Sequence, residues 1–149
     1  MDNPESHSHT RWECKYHIVF IPKYRRKGLY PQLRKELGPV LRSLAGQKEC
    51  TVEQGSLQPD PVHMLISIPP KHSVSQVVGY IKGKSAIWLA RSFGGRKRNF
   101  TGAHFWARGY FVSTVGRDEG TVREYIRKQE HTDRKYDQMG LFGNESTED

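Results

Sequence analysis

Tyr125 and Gln129 stand four residues apart in the run Tyr125, Ile126, Arg127, Lys128, Gln129. Just over one helical turn separates them, so on a helix both side chains project from one face. A phenol and a carboxamide so placed could address one reaction centre; the plainer alternative is an exposed amphipathic helix. His63 belongs to a second pattern, in which Val62, Met64, Ile66 and Ile68 share one face of a strand and His63, Leu65 and Ser67 take the other. The imidazole is therefore expected on the open side of a sheet, as a hydrogen-bonded surface residue or as a ligand. Basic residues gather at Lys23, Arg25 and Arg26, at Lys82 and Lys84, at Arg96, Lys97 and Arg98 beside Phe100, and at Arg108. Cations interleaved with aromatics suit phosphates and unstacked bases, and equally a solvated basic surface. Cys14 and Cys50 match no C-x-x-C pattern, and His7 and His9 lie in a polar start without the rigid support a metal site needs.

The composition fits that emphasis on polyanions. The chain has 149 residues and a formal charge of +8, and leaving out Gly143 to Asp149, with its three acids and no base, raises this to +11. Such a field favours nucleic acid without naming a chemistry. With 35% hydrophobic residues one lean core is expected, part of which a second copy could complete. Neither an 18-residue apolar run nor the apolar core of a signal peptide is present, which points to a cytosolic protein without a membrane span.

The elements that must position these residues follow from periodicity. Trp12 to Ile21 alternates as a strand, with His17 on its polar face, and Pro31 to Ala45 carries a helical stripe closed by Gly46. Residues 48–57 and Val62 to Ile68 read as two strands joined by the turn Gln58, Pro59, Asp60. Ser73 with Gln76 makes a capping box for a second helix with Val74, Val77, Val78, Ile81, Trp88 and Leu89 on its apolar face. Residues 104–115 read as a fourth strand, and a third helix over about 119–133 starts from Asp118 as its cap. The order predicts an α+β fold, a ferredoxin-like βαββαβ antiparallel sheet with two helices on one face, the other face free, and an additional C-terminal helix carrying the tyrosine. Residues 1–10 are expected to be disordered, 11–135 to form the domain and 136–149 to be a polar, acidic tail.

Six segments in order, His9 to Trp12 (HTRW), Tyr16 to Arg25 (YHIVFIPKYR), Asp60 to Leu65 (DPVHML), Gly79 to Ala86 (GYIKGKSA), Phe105 to Gly116 (FWARGYFVSTVG) and Tyr125 to Gln129 (YIRKQ), resemble the single-tyrosine HUH transposases of the insertion-sequence 200/605 family, with their REP-associated relatives. The resemblance covers residues 9 to about 131. It implies a DNA strand transferase in which Tyr125 attacks the scissile phosphate, leaving a 5′-phosphotyrosine and a free 3′-hydroxyl. A phenol with a pKa near 10 is a poor nucleophile at neutral pH, so a cation must neutralise charge developing on the phosphate. The resemblance implies Mg²⁺ or Mn²⁺, with His63 and Gln129 among its ligands. It also implies single-stranded DNA with hairpins near the element ends as substrate, a homodimer whose tyrosine helix serves the partner's histidines, and a prokaryotic, cytoplasmic setting.

One position departs from the family's His-hydrophobic-His motif. Pro61 stands where the first histidine belongs, on the same strand face as His63, and proline offers no side-chain donor. Three readings follow. His63 and Gln129 suffice with waters and the phosphate; Asp60 or His17 supplies the missing ligand; or cleavage is lost and the protein only binds hairpin DNA. A rival from another class, an RNA-recognition module, rests on Arg108 to Val112, but that echo falls on the fourth strand instead of the third and is one residue short.

Overall fold

The computed structural model describes residues 5–7, 10–23, 29–93, 105–116 and 119–141, with side chains over 12–23, 29–93, 105–116 and 119–130. The strands are β1 (Glu5–His7), β2 (Thr10–Trp12), β3 (Lys15–Phe20), β4 (Thr51–Leu57), β5 (Val62–Ser67) and β6 (Phe111–Val115). The helices are α1 (Pro31–Gln47), α2 (Val74–Phe93) and α3 (Glu119–Leu141). From β3 to β6 the order is βαββαβ, and the sheet runs β4-β5-β3-β6 with every neighbouring pair antiparallel. This is the predicted ferredoxin-like sheet with its added C-terminal helix.

Alternation decides which side chains each face receives. Ile18 and Phe20 of β3 and Val62, Met64 and Ile66 of β5 point toward α1 and α2, where they meet Leu33, Leu37, Leu41, Val77, Ile81 and Leu89 in the main core. Pro31 opens α1 at a position that needs no backbone donor, and Ser73 Oγ caps α2 by accepting from the Gln76 amide at 3.1 Å. The opposite face carries His17, His63 and Leu65. It is not free: α3 lies on it, and Ile126, fully buried, packs with Leu65, Val115 and Val122 in a small second cluster.

Several boundaries differ from the sequence reading for identifiable reasons. Glu5–His7 pairs with Thr10–Trp12 in an antiparallel ribbon, so order begins inside the segment expected to be disordered. Helix α1 runs past Gly46 to Gln47, and the left-handed residue that ends the turn is Glu49, at φ 61°. The strand expected over 104–115 is interrupted. Lys23 and Ala107 amides extend the ladder through Phe105 and Ile21 carbonyls at 2.8 and 2.9 Å, but the chain leaves it at Arg108–Tyr110, where Gly109 takes φ 78°, before β6 starts. Helix α3 continues to Leu141, so the expected tail from residue 136 is helical at its start. The expected cap Asp118 lies outside the described residues.

Candidate active site

β3 and β5 are neighbours, and their ladder pairs His17 with Leu65 and Val19 with His63. The two histidines therefore sit diagonally on the face beneath α3. Their rings lean together: His17 Nε2 is 3.3 Å from His63 Nδ1, with the ring planes 19° apart. At that distance one nitrogen donates its hydrogen and the other accepts, which fixes complementary tautomers. Burial lowers the pKa of both imidazoles, His63 to about 4, with the neighbouring His17 adding to the effect. Both are neutral near pH 7, the form in which imidazole can offer a lone pair to a cation.

Tyr125 closes the constellation from above. Its ring centroid is 6.1 Å from that of His17 and 5.9 Å from that of His63, both edge-on, and the side chain is 47% exposed. Phe111 of β6 stands edge-on to His17 at 6.1 Å. A cleft of about 520 Å³ opens among His17, His63, Phe111, Ser113, Thr121 and Tyr125. The phenol is thus accessible to a substrate while the imidazoles form its floor. One turn further along α3, Gln129 Oε1 accepts from Gln58 Nε2 at 3.2 Å, which ties the helix to the turn that carries Asp60 and Pro61.

The sequence-predicted residues divide by location. Tyr125, His63 and His17 meet; Gln129 lies beside the β4–β5 turn and engages Gln58, a partner that no sequence signal singled out. Asp60 is half-buried in that turn, and Pro61 leads into β5 without a metal-binding group. Among the described residues no three His, Cys, Asp or Glu side chains converge as a ready metal site. The donors that stand side by side are the two neutral imidazoles, a type of ligand a divalent cation accepts, while the Gln129 carboxamide is engaged by Gln58.

The basic residues play unequal parts. Lys82 Nζ donates to the carbonyls of Ala107 and Gly109, both at 2.8 Å, and burial lowers its pKa; it secures the break before β6. Lys23, Lys84 and Arg108 are exposed, Lys84 with its Nζ 5.8 Å from the Tyr80 ring centre. Arg25, Arg26, Arg96, Lys97 and Arg98 lie outside the described residues. Among the described residues no helix is long and apolar enough to cross a membrane.

Known proteins resemble this chain in sequence and in fold. Residues 10–129 match the family described as Transposase IS200 like. The chain is 43% identical to the transposase for insertion sequence element IS200 of Salmonella typhimurium over 141 residues, which is 95% of this chain and 93% of that protein. It is 28% identical to the ISDra2 transposase TnpA of Deinococcus radiodurans over 119 residues, 79% of this chain and 85% of that one. A crystal structure of a Deinococcus radiodurans protein assigned as a transposase superposes with a TM-score of 0.66 at 26% identity, covering 87% of this chain and 98% of that one. The REP-associated tyrosine transposase, solved bound to a REP hairpin, superposes with a TM-score of 0.58 at 12% identity over 81% of this chain and 70% of its own, which speaks for the shared fold. The family match across nearly the whole folded chain and the close IS200 relative leave one assignment: the chain belongs to the IS200-like transposase family.

Proposed function

We propose that this transposase cuts and rejoins single-stranded DNA with Tyr125 as nucleophile. The observation that carries the reading is the meeting of Tyr125 with His63 and His17 in one open cleft. Tyr125 Oη forms a bond to the scissile phosphorus as the bond to the 3′-oxygen breaks; the phenol proton is lost and the 3′-oxygen gains one, leaving a 5′-phosphotyrosine and a 3′-hydroxyl. The phosphotyrosine ester keeps the energy of the broken linkage, so a second 3′-hydroxyl can reverse the step without ATP.

His63 and His17, with Gln129 after release from Gln58, are the residues that would hold Mg²⁺ or Mn²⁺. The cation would neutralise charge on the phosphate. His17 takes the place of the imidazole that Pro61 lacks, and its position next to His63 favours it over Asp60 as the substitute. The substrate is single-stranded DNA with hairpins near the element ends, a choice supported by the hairpin-bound relative. The protein acts in a prokaryotic cytoplasm as a homodimer whose α3 serves the partner's site. In the single chain α3 seats Tyr125 over the same chain's histidines, and the same helix face would fit a partner's identical sheet.

The second reading, hairpin binding without cleavage, has Pro61 in its favour. A labelled hairpin substrate incubated with Mn²⁺ decides between them. Formation of a covalent protein–DNA adduct and a free 3′-hydroxyl supports strand transfer. Salt-sensitive hairpin binding with no adduct supports the binding-only reading.

A further inference from the structure

A chain of charges joins the start of α3 to three strands, beginning two residues before His17 on the same face of β3. Lys15 of β3 has a side chain only 4% exposed, and its ammonium meets both carboxylate oxygens of Glu119 at 3.1 and 3.2 Å. Arg123, one turn on, donates to the same Glu119 carboxylate, Nη2 at 2.8 Å and Nε at 2.9 Å, and its Nη2 lies 3.5 Å from Glu53 Oε1 on β4. The other Glu53 oxygen accepts from Ser67 Oγ of β5 at 2.8 Å. Glu53 falls at the irregularity between Val52 and Gln54, where the β4–β5 register shifts. A bulge of that kind re-aims a side chain, and here the carboxylate reaches α3.

From this network we infer that Lys15, Glu119, Arg123 and Glu53 are positioning residues: an ionic clamp that fixes the rotation and height of α3, and so the place of Tyr125 above His17 and His63. Among the described residues the apolar seat under α3 is made by Ile126, Val122, Leu65 and Val115, and apolar contact is non-directional. Charge pairs are directional. A slip of one helical turn moves a side chain by about 5.4 Å and would carry the phenol off the imidazoles. A buried ammonium without its carboxylate is costly, so Lys15 accepts α3 only where Glu119 meets it. Any sheet on which α3 serves, in its own chain or a second copy, must offer the same Lys15 and Glu53. The inference rests on Tyr125 being the reacting group, and its test has an arm independent of that.

The test combines amide hydrogen exchange on the full chain with single-turnover cleavage and hairpin affinity. In Glu119→Gln, and in the more exposed Arg123→Gln, the amides of 119–130 should lose protection while those of β3 and β5 keep theirs. Cleavage should slow by about 10-fold or more, as small misplacements of reacting groups do, with hairpin affinity unchanged. The double variant Lys15→Met/Glu119→Leu, which replaces the buried ion pair with an apolar one, should recover both protection and rate. Unchanged protection of α3 in both single variants overturns the clamp, and so does loosened α3 with undiminished cleavage. Wild-type protein that binds hairpins without cleaving them overturns the role of Tyr125, and the exchange arm then decides the clamp alone.

Discussion

His17 Nε2 and His63 Nδ1 are 3.3 Å apart although the ladder sets neither residue opposite the other; His17 faces Leu65 and His63 faces Val19. The diagonal works because neighbouring antiparallel strands bring same-face side chains two positions out of register within reach of long or aromatic groups. Two strands thus deliver a pair of imidazoles that one strand cannot, since the position two before His63 is Pro61. One ring donates to the other, and burial disfavours protonation of both.

That burial has a pH signature. The folded pKa of His63 is about 4 against an ordinary 6.5, and His17 is shifted the same way. Between those values the unfolded chain binds more protons than the folded one, so stability present above pH 6.5 is lost as pH falls toward 4. The urea midpoint should drop from pH 7.5 to pH 5, and His63→Gln should shrink that drop. An equal drop in the variant would remove His63 as its cause.

Tyr125→Phe removes only the phenolic oxygen from a side chain that is 47% exposed and whose ring contacts are all edge-on. The covalent adduct with a labelled hairpin should fall below detection, while binding and thermal stability stay close to wild type. An adduct that survives would exclude Tyr125 as nucleophile.

The sequence made the sheet and its helices legible because period two and period 3.6 were both strong: the apolar face of β5 is buried, as are Val77, Val78, Ile81 and Leu89 of the α2 stripe, with Val74 and Trp88 partly buried at its margins. His63 and His17 were legible by the same alternation as residues of the face opposite the main core, though that face is covered by α3 and His63 is buried. Their contact was not, because it depends on strand order and register, which periodicity does not contain. Lys15, Glu53, Glu119 and Arg123 read as ordinary surface charges, and only the packing of α3 on the sheet brings them together. Lys82 shows the reverse: its place in a basic cluster suggested phosphate binding, whereas its ammonium is spent on two carbonyls.

The lysines of α2 should therefore behave differently on hairpin DNA. Lys84→Ala removes an exposed charge, and if that charge contacts a phosphate the salt slope of binding should fall by about 1. Lys82→Met should leave the slope nearly unchanged and instead lower stability by roughly 1.5–3 kcal/mol, the range for a hydrogen bond from a charged donor. Binding isotherms at several salt concentrations with parallel urea unfolding separate the two effects. A slope change in Lys82→Met with full stability would return that residue to the DNA surface.

Pro61 and His17 should show strong epistasis. In wild type His17 is the imidazole beside His63, so His17→Ala should reduce Mn²⁺-dependent cleavage by about 10- to 100-fold, the range for losing a supporting group at a metal site. Pro61→His restores an imidazole on the face that His63 uses, at the entry to β5, where loss of the proline ring costs little and can regain a ladder hydrogen bond. It should raise cleavage in wild type and, above all, make His17→Ala nearly harmless, while His63→Ala stays damaging in both backgrounds. Four cleavage rates, for wild type, each single variant and the double, give the coupling directly. Additive effects would mean that His17 is not the substitute donor and that the cation depends on other groups. A wild type that cleaves no less than Pro61→His, with His63→Ala harmless in both, would remove the histidines from the reaction altogether.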